Sequence, residues 1–376
     1  MLGKYLYYQM KSDIIKKVCK NKSASVIEKS RSRTVANGRK IMEKTNKISI
    51  VVPCYNEHEV LPLFYDAIQK VMAQIEEEHP DTDFELLFIN DGSKDNTLEI
   101  LRNFALKDSR VRYISFSRNF GKEAGMYAGM ENATGNYVVI MDADLQHPPE
   151  FLPEMYNIVL SGEYDCATTR RVTREGESKI LSWFSRLFYK IINKISQTQI
   201  VDGAQDFRFM NRRMVDSILS MKEYNRFSKG IFSWVGYRTK YIEYENVERA
   251  AGTSTWSFWK LFKYALEGFF AFSTAPLTLS SILGIVICII AFIWIIVIIV
   301  KKLAFGDPVQ GFATVMCTIL LMGGLQLFCT GISGQYLAKT YLEVKQRPIY
   351  LIGETEKDLK QKIDSHPEKA ETESDT

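Results

Sequence analysis

Two acidic residues one position apart, Asp142 and Asp144 in Asp142-Ala143-Asp144, follow directly on the β-rich run Tyr137–Met141. At the end of a strand their carboxylates project side by side at a sheet edge. Hard oxygen donors that leave part of a coordination sphere open suit Mg²⁺ or Mn²⁺ that also binds a diphosphate. A D-x-D pair alone is also common as a solvated loop, so its weight depends on its surroundings. The four histidines are scattered, and His147 enters the acidic loop only as the neighbour of Pro148, so none is assigned chemistry.

These residues need a frame. Four short β-rich runs, Ile48–Val52, Glu85–Asn90, Val111–Phe116 and Tyr137–Met141, alternate with stretches of helical spacing, the pattern of a βαβ series with a parallel sheet. The polar motifs Pro53–Glu57, Asp91–Ser93, Ser117–Lys122 and Asp142–Gln146 all lie just past those runs. In open α/β sheets ligands bind at that carboxyl edge. No G-x-G-x-x-G opens the first helix, which excludes a dinucleotide-dependent oxidoreductase.

The net charge of +4 conceals an asymmetry: residues 1–47 carry thirteen Lys or Arg against three acids. That leader lacks the apolar core of a signal peptide and reads as solvated and disordered, with no nucleic-acid partner expected. Met42 precedes the first ordered-looking segment, so translation is expected to start there or at Met1. The six cysteines form no C-x-x-C pair, against both a disulfide framework and a zinc site.

Residues 178–196 place Ile180, Phe184, Leu187, Phe188, Ile191 and Ile195 on one helical stripe and Ser182, Arg186, Lys190 and Lys194 on another, a basic amphipathic helix that packs on the domain or lies at an interface. Leu277–Val300 is an uncharged run of 24 residues and Phe312–Tyr336 is a second of similar length. Each can span roughly 30 Å of hydrocarbon, and the short connection 301–311 makes them a hairpin. Lys260, Lys263, Lys339, Lys345 and Arg347 flank it and outnumber Lys301 and Lys302 in its loop, which puts the large domain and the C-terminus in the cytoplasm. Residues 354–376 are charged and expected to be disordered.

The motifs Val51-Val52-Pro53-Cys54-Tyr55-Asn56-Glu57, Asn90-Asp91-Gly92-Ser93 and Met141-Asp142-Ala143-Asp144-Leu145-Gln146-His147-Pro148 resemble, in order and spacing, the signature of family-2 glycosyltransferases of the GT-A fold. Ser117-Arg118-Asn119-Phe120-Gly121-Lys122, Gln205–Arg208, Arg226-Phe227, Trp234–Tyr237 and Arg249-Ala250-Ala251-Gly252-Thr253-Ser254 extend the likeness to the polyprenyl-phosphate glycosyltransferases, over residues 47–348. The resemblance implies an α/β, GT-A (Rossmann-like) nucleotide-sugar domain at 47–254, an interfacial helix at 255–276, a transmembrane hairpin at 277–338 and a cytoplasmic tail at 339–376. It puts Pro53, Tyr55, Glu57 and Asp91 around the nucleotide and Asp142, Asp144 and Gln146 around Mg²⁺ or Mn²⁺. Arg171 and Arg249 become phosphate contacts, a role that suits a guanidinium fork, and Ser254 lies beside the substrate. Asp144, Asp206 and Arg208 are the catalytic candidates.

The partners the resemblance implies are a UDP-linked nucleotide sugar, polyprenyl phosphate, the lipid bilayer and further copies of the chain, a tetramer by resemblance. An acceptor phosphate is already mainly dianionic near neutral pH, since its second pKa is about 6. Asp206, the tempting general base of the Gln205–Arg208 motif, therefore reads equally as a residue that orders the site by pairing with a neighbouring arginine. Many relatives carry a lysine after the serine of Arg-x-x-Gly-x-Ser, where this chain has Thr255 and Trp256. A processive polysaccharide synthase would carry Gln-x-x-Arg-Trp and more spanning helices, and neither is present. The remaining non-enzymatic reading is a lipid-sugar transporter with a degenerate domain.

Overall fold

The computed structural model describes residues 46–171, 203–244, 275–305 and 311–365, with Asn193 and Val201 besides. The basic leader, almost all of the amphipathic stretch 178–196, residues 255–274 of the expected interfacial helix, and Arg249 and Ser254 lie outside the described residues.

Among the described residues eight strands form one sheet: β1 (Asn46–Cys54), β2 (Thr82–Asn90), β3 (Val111–Phe116), β4 (Tyr137–Ile140), β5 (Cys166–Arg171), β6 (Ala204–Asn211), β7 (Thr239–Tyr244) and β8 (Ile352–Thr355), in the order β7-β5-β6-β4-β1-β2-β3-β8. The first four pair in parallel, Asn46 opposite Thr82 through Cys54 opposite Asn90 and Ile48 opposite Tyr137, as the βαβ pattern requires. The sheet as a whole is mixed, because β6 runs antiparallel to β4 and β5, and β8 antiparallel to β3.

Helices cover both faces. On one face lie α1 (Leu61–Glu78), α2 (Thr97–Lys107) and α4 (Leu152–Leu160); α1 buries Leu61, Phe64, Ile68, Val71, Met72 and Ile75, apolar positions repeating at helical spacing. On the other lie α3 (Lys122–Asn132), α5 (Arg212–Ser220) and α6 (Ser228–Trp234). Helix α3 sits unusually close to β1: a Cβ added at Gly129 would lie 2.0 Å from Val51 Cγ1. Only glycine permits that approach, and it fixes the height at which the first residue of α3 stands over the strand ends.

Two long helices follow, α7 (Ala275–Phe305) and α8 (Phe312–Val344). Among the described residues one stretch, Pro276–Trp294, is long and apolar enough to cross a membrane. Ile282, Ile285, Ile289, Ile293 and Trp294 on α7, and Ile319, Leu321, Leu327 and Phe328 on α8, are exposed. The helices touch where the Cys329 thiol meets the Ser280 carbonyl at 3.9 Å.

The chain then departs from the sequence reading. Residues from 354 onward were expected to lack structure, yet β8 adds to the β3 edge and α9 (Glu356–Ser365) follows. Ion pairs explain why so polar a segment is ordered. Glu354 accepts from Arg102 Nε (2.9 Å) and Nη2 (2.7 Å) and from the Tyr113 hydroxyl (2.7 Å). Arg112 donates to Glu356 (2.9 Å) and to the buried Glu85 (2.6 Å). Tyr350 stacks on Phe116 with ring centroids 5.0 Å apart.

Candidate active site

Each polar motif emerges where its strand ends. After β1, Asn56 takes a left-handed backbone conformation (φ 56°) and its side-chain oxygen accepts from the Lys94 amide at 2.9 Å, joining the first motif to the loop after β2. The Glu57 amide donates to Thr97 Oγ1 at 2.9 Å. Tyr55 is exposed, and Pro53 packs below Gly125 of α3. The structure thus brings Pro53, Tyr55 and Glu57 to the same carboxyl edge.

Asp91, expected near the nucleotide, is buried and accepts from the amides of Phe120 (2.6 Å) and Gly121 (2.8 Å). Burial outweighs these two amides and Arg118, leaving its carboxyl above the usual aspartate value. In this structure Asp91 shapes the turn that starts α3. Gly92 (φ 63°) keeps that turn close, since a Cβ there would fall 2.4 Å from the Arg118 carbonyl carbon.

The turn delivers Lys122 to the centre of the site. Its Nζ lies 2.7 Å from Asp142 Oδ1, 2.8 Å from Asp142 Oδ2 and 2.9 Å from Asp206 Oδ2. One ammonium therefore ties the end of β4 to β6. Partial removal from water pulls its pKa down, but the two carboxylates outweigh this and hold it above the ordinary lysine value. Burial pushes Asp206 up in turn, and Lys122, Lys229 and Arg208 overcome that push, keeping Asp206 below the usual carboxylate range. The arginine expected to pair with Asp206 is not the residue bonded to it: the partner is Lys122, which the turn before α3 carries to within 2.9 Å, while Arg208 acts on Asp206 only through its charge.

Asp144 lies one turn further on. Its Oδ1 accepts from the Gln146 amide at 3.1 Å across Leu145, whose φ of 56° folds the loop back. His147 is buried and bonds Tyr244 through Nδ1 (2.9 Å). Among the described residues no three His, Cys, Asp or Glu side chains form a metal-holding group. The donors at hand are two carboxylates, Asp142 and Asp144, and the side-chain amide oxygen of Gln146. This all-oxygen, incomplete set fits a Mg²⁺ or Mn²⁺ ion that takes its remaining ligands from phosphate.

Arg208 is 3 % exposed and stacks its guanidinium 4.5 Å above the Phe232 ring, so it backs Asp206 from inside the domain. Arg171 closes β5 opposite Tyr244, and its side chain lies outside what is described. Three residues escaped the sequence reading. Lys122 was seen only as the end of a motif, although a lysine directly after the glycine that opens a helix was a usable signal. Glu123, beside it, accepts from the Ser228 amide (3.0 Å) and hydroxyl, and burial raises its carboxyl to about 7. Glu343, near the end of α8, accepts from the amides of Tyr224 (3.0 Å) and Asn225 (3.1 Å), three residues before Ser228. No local pattern marks that last contact.

Comparison with known proteins agrees with this architecture. The glycosyl transferase family 2 profile matches residues 49–219. A Bacillus subtilis (strain 168) protein named as a glycosyltransferase, CsbB, is 44% identical over 83% of this chain and 92% of its own length. A prophage bactoprenol glucosyl transferase homolog of Escherichia coli (strain K12) is 40% identical over 83% of this chain and 100% of its own. The bactoprenol glucosyl transferase of Shigella phage SfX is 41% identical over 81% and 98%. With intact strand-end motifs and likeness over most of its length, the chain belongs to glycosyl transferase family 2, alongside the bactoprenol glucosyl transferases.

Proposed function

We propose that the chain transfers a hexose or N-acetylhexosamine from a UDP-linked sugar to a polyprenyl phosphate such as undecaprenyl phosphate, at the cytoplasmic face of a membrane and with inversion at the anomeric carbon. The observation that carries this reading is the Asp142–Lys122–Asp206 constellation at the carboxyl edge of a sheet whose last strand arrives from the apolar helices. The names borne by relatives at about this level of likeness supply the acceptor class.

The topology supports two crossings. Strands β7 and β8 belong to one sheet, so the segment between them begins and ends on the same side of any membrane it enters. If Pro276–Trp294 crosses, α8 must return, and its 33 residues are ample for about 30 Å of hydrocarbon. Such a hairpin keeps the site near the headgroup plane, where a polyprenyl phosphate presents its charge.

In this reading Pro53, Tyr55, Glu57 and Asp91 frame the nucleotide, and Asp142, Asp144 and Gln146 hold Mg²⁺ or Mn²⁺. The metal ion, when bound, neutralises charge on the departing diphosphate. Arg171 and Arg249 steady phosphate oxygens, and Ser254 lines the substrate. A phosphate oxygen of the acceptor bonds to the anomeric carbon as the bond from that carbon to the β-phosphate oxygen breaks, releasing UDP. No proton need be removed from a dianionic acceptor. Asp206, paired with Lys122, orients the reactants and is a poor base because its pKa is depressed. Assembly into a tetramer would set several such sites on one membrane patch.

The test is to incubate membranes containing the protein with UDP-glucose, UDP-N-acetylglucosamine and UDP-galactose, each radiolabelled, and extract lipid. One of the sugars should enter the organic phase in a polyprenyl-phosphate-dependent manner. Label confined to water-soluble glycan with every donor would overturn the acceptor assignment.

A further inference from the structure

We propose that Lys122 is a resident counter-cation that competes with a divalent ion for Asp142, so that tight metal binding waits for the donor's diphosphate. The inference rests on the metal-dependent reading above and adds an order of events to it. Its basis is the placement of one ammonium across both oxygens of Asp142, at 2.7 and 2.8 Å. A divalent ion bound by Asp142 must share that carboxylate with a cation a few ångströms away, and repulsion between them is strong where solvent is partly excluded.

Lys122 is not free to leave with its backbone. Asp91 pins the amides of Phe120 and Gly121 just before it, and the contact of Gly129 with Val51 fixes α3 on the sheet. What it retains is a choice of partner, because Asp206 Oδ2 stands 2.9 Å away on the other side. The side chain is also 44% exposed, so an incoming anion can reach it. A nucleoside diphosphate supplies that anion: it offers the ammonium new oxygens, releases Asp142, and adds negative charge that favours the divalent ion. Lys122 thereby keeps three carboxylates, Asp142, Asp144 and Asp206, from gathering a metal ion before a donor is present.

The test uses the full-length protein in detergent, with Mn²⁺ binding followed by electron paramagnetic resonance, with and without UDP. Wild type should bind Mn²⁺ at least tenfold more tightly with UDP than without. Lys122→Met, and Lys122→Gln as a variant that can still hydrogen-bond both carboxylates, should bind Mn²⁺ at least tenfold more tightly than wild type without UDP, and UDP should then add little. Lys122→Arg should retain the wild-type dependence on UDP. Lys229→Met removes a nearby charge that acts on Asp206 without an ion pair to Asp142, and should stay within about threefold of wild type. Unchanged Mn²⁺ affinity in both neutral Lys122 variants, or an equal gain in Lys229→Met, would overturn the proposal while leaving metal dependence standing. Absence of Mn²⁺ binding in every form, with UDP present, would overturn the metal reading itself and this inference with it.

Discussion

Two edges of the sheet are built from the same materials and behave differently. At the β3–β8 edge, Arg102 meets Glu354 through two parallel bonds, and Arg112 bridges Glu85 and Glu356, whose side chains are 3% and 7% exposed. Glu85 is also held by Ser49, by the Thr134 amide (2.9 Å) and by the Thr134 hydroxyl (3.0 Å). At the carboxyl edge, a single half-exposed lysine serves two carboxylates, Asp142 just past β4 and Asp206 on β6. The first arrangement uses planar guanidinium forks that each make more than one bond to carboxylates, which suits permanent attachment. The second leaves a compact ammonium whose partners can be exchanged, which suits a site where charge arrives and departs. The same ion-pair chemistry thus fastens β8, the segment returning from the apolar helices, and prepares the reaction centre.

The largest effect expected is at the reaction centre. Asp144→Asn should reduce transfer by about a thousandfold or more, with expression and membrane insertion intact, because a metal-binding charge is lost from the diphosphate site. EDTA should have the same effect. Activity within a few-fold of wild type in either case would remove the chemical half of the contrast.

Asp206→Asn sharpens the same half. If Asp206 orients and does not abstract a proton, the loss should stay below about a hundredfold near neutral pH, and the pH profile above it should be flat. Activity that recovers in proportion to hydroxide would restore Asp206 as a base.

The β8 edge should respond in stability. Arg112→Leu leaves Glu85 and Glu356 without their cation, a change that costs about 3–5 kcal/mol when a buried pair is broken. Thermal unfolding should shift downward while turnover per folded molecule is retained. Lost turnover with an unchanged Tm would erase the difference between the edges.

The smallest effect is a pH dependence at Glu123, which follows Lys122 and is bonded by Ser228. Glu123 has its carboxyl raised to about 7 by burial, so the folded state holds a proton that the unfolded chain releases near pH 4.5. That group's contribution to stability is present below its unfolded value and is lost as pH rises from there through about 7. Glu123→Gln should flatten the Tm-against-pH curve in this window, and an unchanged slope would count against the raised carboxyl.

What the sequence disclosed was whatever is local. The runs Ile48–Val52, Glu85–Asn90, Val111–Phe116 and Tyr137–Met141 carry enough apolar and β-branched residues to reveal the strands and, to within two residues, their carboxyl ends, β1 running on to Cys54 and β4 stopping at Ile140. Lys122 was hidden because its partners stand 20 and 84 positions away, and only the packing of Gly129 on Val51 sets its height. Strand β8 was hidden more deeply. It is four residues long, runs into the polar stretch that begins at Glu354, and is ordered by Arg102, which lies 252 positions before its partner Glu354. Reversed strands escaped notice as well, because periodicity carries no direction, and β6 runs antiparallel to both of its neighbours.

The most direct test of the account uses purified full-length protein with undecaprenyl phosphate, a divalent ion and the donor identified from the panel, with lipid and nucleotide products measured together by mass spectrometry. The account predicts a lipid heavier by one glycosyl residue and an equimolar amount of UDP, both abolished in Asp144→Asn. Release of UDP without glycosylated lipid, or transfer of the sugar to a soluble glycan in preference to the lipid phosphate, would contradict it.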